Sequence, residues 1–154
     1  MISLDRRRFL QTTAVLALMP VFSACQKEIE TGPKKIHWDR DMCERCKMVI
    51  SERNHAAQVL NEENGRRYMF DDIGCVILWF KEENITWKDS AKIWITDVKT
   101  SKWIDARTAY YDTIHQTPMA YGFSANEKKE SITNKHSEII DFNEMSKRVL
   151  ARGR

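Results

Sequence analysis

The sequence predicts an α+β fold, two small strand–strand–helix units packed into one compact domain. Three observations carry that prediction. Asn64-Gly65 sits between two β-rich stretches, where a tight hairpin needs left-handed backbone. Phe70-Asp71-Asp72-Ile73 places a capping carboxylate between a strand end and an apolar helix. Ile140-Asp141-Phe142 repeats that arrangement late in the chain.

Residues 1–24 read as an export signal and stay outside the fold. Arg6-Arg7-Arg8-Phe9-Leu10 has the form of a twin-arginine signal, which implies folding before export. The apolar run from Ala14 to Phe22 falls short of the roughly 20 residues that span a bilayer. Ser23-Ala24-Cys25 then resembles a lipoprotein cleavage site, with Cys25 as the lipidated residue. More than one acyl chain there would give stable membrane anchoring. Residues 25–35, polar and carrying Gly32-Pro33, form a tether, and the domain is expected over 36–154 with lobes at about 36–98 and 99–154.

The processed chain has 130 residues, enough for a single core. Losing Arg6, Arg7, Arg8 and Asp5 lowers the net charge from +3 to +1. No basic excess points to nucleic acid, which demands clustered Lys and Arg on one face.

Within the domain, His55–Leu60 and Arg67–Phe70 are the strands of the first hairpin. Asp71-Asp72 caps a helix running through about Lys81. Its Ile73, Val76, Ile77 and Phe80 share one face, and Cys75, Leu78 and Trp79 extend the apolar surface around it, so the helix should be largely buried. Ile93–Val98 and Lys102–Asp105 form a second hairpin around Lys99-Thr100-Ser101. Further strands are expected at Ala109–Tyr111, Gly122–Ala125 and Ile139-Ile140. Asp141 caps a last helix that carries Phe142, Met145 and Val149 on one face, with Lys147 and Arg148 towards its C-terminus.

Chemistry concentrates in Cys43-Glu44-Arg45-Cys46-Lys47-Met48, two thiols and a thioether within six residues, with Met42 adjoining as a potential fourth sulfur. Soft sulfur donors select Cu(I), zinc or iron–sulfur clusters, and thioether favours Cu(I). If the segment is extended, Cys46 and Met48 point to the same side. Setting Cys25 aside leaves three cysteines, and disulfides cannot use an odd number. Three other readings compete for Cys43 and Cys46: a disulfide, half a zinc site, or a thioredoxin-type redox couple facing a Thr117-Pro118 loop. Against the last stands the charged approach Asp39-Arg40-Asp41 in place of an apolar strand. No second Cys or His pair at finger-like spacing accompanies them. Met119 and His115 are further candidate ligands. His37, His55 and His136 have no spacing that recommends them. Cys75, within the buried helix, reads as a core thiol.

These residues together resemble the NosL family, copper-binding lipoproteins accessory to nitrous oxide reductase. The match rests on the head cysteine Cys25, on Cys43-x-x-Cys46-x-Met48, on Phe70-Asp71-Asp72-Ile73, and on Thr117-Pro118-Met119 with Gly122. The resemblance implies two ββαβ lobes and a periplasmic Cu(I) metallochaperone rather than an enzyme. It assigns Cu(I) to Cys46, Met48, Met119 and Cys43, and implies partners in nitrous oxide reductase and its membrane-bound assembly proteins. The alternative is a membrane-anchored thiol–disulfide oxidoreductase using Cys43 and Cys46. The family often has Gly where this chain has Lys47 and Ala120, bulkier residues expected to narrow the loop.

Overall fold

The computed structural model describes residues 31–153. The signal at 1–24, Cys25 and the first part of the tether lie outside the described residues. Two antiparallel sheets, each with a helix, share one continuous core. The first sheet has strand order β2-β1-β3-β4, from β1 (Ala57–Leu60), β2 (Arg67–Phe70), β3 (Lys92–Thr96) and β4 (Trp103–Asp105). Helix α1 (Ile73–Glu82) lies between β2 and β3 in the chain. The second sheet has order β6-β5-β7, from β5 (Tyr110–Asp112), β6 (Ser124–Asn126) and β7 (Ile139–Ile140), followed by helix α2 (Phe142–Arg152). Among the described residues, no helix is long and apolar enough to cross a membrane.

Both expected hairpins form. Gly65 has φ +70° in the β1–β2 turn, the left-handed geometry anticipated for Asn-Gly. The β3–β4 hairpin keeps β4 in the first sheet, so that unit extends to Asp105 and the chain leaves it beyond residue 98. Register puts Ala57 and Val59 beside Phe70 and Tyr68 on one neighbour and beside Ile95 and Ile93 on the other. Alternation turns all six to the same side, and α1 packs there. Its Trp79 ring lies 4.6 Å from Tyr68 and 5.3 Å from Phe70, centroid to centroid. On the other side, Gln58 is fully buried and exchanges two hydrogen bonds with the Lys34 backbone, which substitutes for the water it has lost.

The α1 cap joins the two units. The carboxylate of Asp72 accepts the Gly74 N–H at 2.8 Å, as an N-cap should, and also accepts the Met119 N–H at 3.3 Å. A Thr117 hydroxyl donates to it as well. One buried side chain thus starts α1 and pins the 117–122 loop of the second unit to that start. Tyr121 from this loop lies so close to α1 that a Cβ on Gly74 would sit 2.2 Å from its ring.

Candidate metal centre

Residues 42–49 fold back on themselves. Met42 and Val49 form an antiparallel bridge, the Cys43 N–H donates to the Met48 carbonyl at 2.8 Å, and the Lys47 N–H donates to the Cys43 carbonyl at 3.1 Å. Lys47 makes the reversal with φ +57°. The Glu44 N–H reaches the Met69 carbonyl at 2.8 Å, which docks the hairpin on the free edge of β2. Cys43 is thereby buried beside the first turn of α1, and Cys46 is partly exposed.

Cys75 occupies that first turn. The Sγ atoms of Cys43, Cys46 and Cys75 all lie within 4.8 Å of one another, and all three thiols are free. Cys75 is buried in the core, as its place in the helix predicts, and its sulfur also meets the other two. Metal–sulfur bonds near 2.3 Å hold three sulfurs about 4 Å apart around a central ion, so the cluster needs only a small contraction to close.

Hydrogen bonding divides the three thiols unequally. The Cys43 sulfur is pulled down to about 5, first by the Cys75 S–H donating to it, against burial, and with help from the N–H groups of Asp71 and Cys46. The same bond pushes Cys75 far up, since that proton is shared with a thiolate, and burial adds to the effect. Burial raises Cys46 too, although the Met48 N–H opposes it. Asp71, buried behind Cys43, is pushed up to about 6 by desolvation and then by the Cys43 charge. Its Oδ1 has no hydrogen-bond partner. A cation arriving at the sulfurs would replace the shared protons and relieve this crowding of negative charge.

The methionines lie on different segments. Met48 is 51% exposed. The segment through Lys47 is a turn rather than an extended run, so Met48 does not share a side with Cys46 by simple alternation. It lies opposite Cys43 across the hairpin, and that pairing puts the two on one side. Met42 pairs with Val49 on the other side, away from Cys43. Met119 is partly buried against the core, on the loop pinned by Asp72. His115 is held 2.5 Å from Asp112 through Nδ1 and is no part of the sulfur cluster. Of the sequence-derived candidates, then, Cys43 and Cys46 converge with each other. Met48 lies across the hairpin from Cys43 and Met119 on the loop pinned by Asp72, and Cys75, read in the sequence as a core thiol, is the third sulfur of the cluster.

The NosL family model matches residues 33–150, most of the chain. The chain belongs to the NosL family. The crystal structure of the copper chaperone NosL from Shewanella denitrificans aligns with a TM-score of 0.58 at 12% identity, covering 73% of this chain and 94% of that one. At that identity the likeness speaks for a shared NosL fold. No curated protein matches the sequence. The backbone changes the meaning of Lys47 and Ala120. Both have positive φ, +57° and +58°. Glycine, expected at those two places from the resemblance, would suit such a left-handed backbone, and loop width is secondary.

Proposed function

We propose that this NosL-family protein carries Cu(I), bound by Cys43, Cys46 and Cys75 with thioether from Met48 or Met119. The observation that carries the reading is the convergence of three free thiols from two chain segments. Soft thiolate and thioether donors suit a monovalent copper ion. The copper chaperone of the same fold supports the choice of metal. Transfer follows from the unequal burial of the sulfurs. Cys43 and Cys75 form the inner wall, whereas Cys46 and Met48 face outwards. An acceptor can add its own donors to the ion from that open side before the inner thiolates let go. Carriage of this kind requires no bond-making chemistry from the protein.

Export, lipidation at Cys25 and delivery to nitrous oxide reductase through its membrane-bound assembly proteins complete the proposal. A lipid anchor would keep the carrier near such partners. For the metal itself, the test is a competition titration of the reduced protein with a chromophoric Cu(I) chelator. One tightly bound Cu(I) is expected, with about a hundredfold loss or more in Cys46→Ser or Cys75→Ser, since each removes one metal–thiolate bond. Wild-type-like affinity in both variants would exclude the site.

The depressed Cys43 thiol is the feature that favours the alternative, a thiol–disulfide oxidoreductase. Among the described residues no peptide bond is cis, so Thr117-Pro118 does not supply the cis-proline loop of thioredoxin-like enzymes. Rapid turnover in an insulin-reduction assay would revive that option.

A further inference from the structure

Arg45 lies between the two cysteines of the hairpin, and its side chain is only 15% exposed. It is held by partners on α1 and on the 117–122 loop rather than left in water. Its Nε and Nη2 donate to the two carboxylate oxygens of Glu82 at 2.9 and 2.8 Å, at the far end of α1. Nη1 donates to the Tyr121 hydroxyl at 3.2 Å. The same guanidinium is within hydrogen-bonding reach of Cys75. Four segments thus meet on one fixed cation: the hairpin, both ends of α1 and the 117–122 loop. Glu82 is 49% exposed, so water screens its charge more than it screens the guanidinium. Asp71 and Asp72 add negative potential near Cys43, and Arg45 supplies the opposing sign.

We infer that Arg45 is a charge-selecting residue of the thiol site, favouring a monovalent over a divalent ion. The inference rests on the carrier reading above and on simple charge counting. Three thiolates around a monovalent ion make a complex of net charge −2, and around a divalent ion one of −1. Both start from the same metal-free protein, so the ratio of the two affinities depends only on the two complexes. A fixed positive charge at the sulfurs stabilises the first about twice as strongly as the second. Arginine suits the task because it stays charged when partly buried and its planar fork is held by the Glu82 carboxylate.

The experiment measures Cu(I) and Zn(II) affinities of the reduced protein by chelator competition, at one pH and one ionic strength. Wild type is compared with Arg45→Met, Arg45→Lys and Glu82→Gln. Arg45→Met should lower the Cu(I)/Zn(II) affinity ratio about tenfold or more, given the strength of charge interactions at such partly buried positions. Arg45→Lys should restore most of it. Glu82→Gln, which leaves the guanidinium uncompensated, should move the ratio the other way. A purely structural role would weaken both metals alike and leave the ratio fixed; that result in Arg45→Met overturns the assignment. Should Arg45→Met fail to fold, the opposite shifts of Arg45→Lys and Glu82→Gln against wild type decide, and an unmoved ratio in Glu82→Gln overturns it. Wild type that leaves its three thiols fully open to alkylation in the presence of Cu(I) would take down the carrier reading itself. An unmoved ratio in a protein that binds Cu(I) removes Arg45 alone.

Discussion

Lys47 and Ala120 each occupy a backbone region where a side chain costs about 1–2 kcal/mol. Glycine there removes that cost but adds freedom to the unfolded chain. The balance favours Lys47→Gly and Ala120→Gly by about 0.5–1 kcal/mol each, read as a higher urea midpoint with unchanged slope. Equal or lower midpoints would mean the turns do not hold these residues left-handed. Asp71 offers a second test at this scale, because its carboxyl is raised from 3.8 to about 6 in the fold. A raised carboxyl favours the native state while it is protonated. Its contribution is therefore full below about pH 4 and is lost as pH rises through about 6. Asp71→Asn has no such loss. The variant should gain on wild type between pH 4 and pH 7 by about 1–3 kcal/mol in urea unfolding of the reduced protein, since each shifted unit is worth about 1.4 kcal/mol. A difference that does not vary with pH would show that Asp71 ionises freely.

At the scale of elements, α1 does more than fill the core. Its first turn carries Cys75, its cap Asp72 holds the Met119 loop, and its last residue Glu82 holds Arg45. The fit depends on Gly74, where Tyr121, only 1% exposed, takes the space a Cβ would need. Ala normally improves a helix interior over Gly by up to about 1 kcal/mol. Here the sign should reverse. Gly74→Ala must push Tyr121 away from α1, which overpacks the contact and strains the Arg45–Tyr121 hydrogen bond. A net destabilisation of about 1–3 kcal/mol is expected, with faster amide exchange over residues 117–122. Stabilisation by Ala would show that the two units do not meet as closely as this geometry requires.

Across the whole molecule, the parts legible in the sequence were those fixed by neighbours in the chain. The Asn64-Gly65 turn, the Asp72 and Asp141 caps and the period of α2 all depend on residues a few positions apart, and each forms where expected. Cys43 and Cys46 were legible for the same reason. Cys75 was not, because α1 is apolar almost all round and a sulfur within it looks like one more packing group. The odd cysteine count was the available signal, but only docking of the hairpin on the β2 edge brings Cys75 to the pair. That long-range arrangement makes metal loading a matter of global stability. An ion held by Cys43, Cys46 and Cys75 clips the hairpin to α1, and through Asp72 and Tyr121 to the second unit. Ligand bound only by the native state, at a thousandfold excess over its dissociation constant, adds about 4 kcal/mol. For a domain of this size that is a rise in Tm on the order of 10 °C. Cu(I) should give such a rise in the reduced wild type, measured by thermal unfolding under anaerobic conditions. In Cys75→Ser the ion would be held within the hairpin alone, so less than half of the increment should survive. An undiminished increment in Cys75→Ser would mean that the hairpin binds the ion by itself and that α1 contributes packing without coordination.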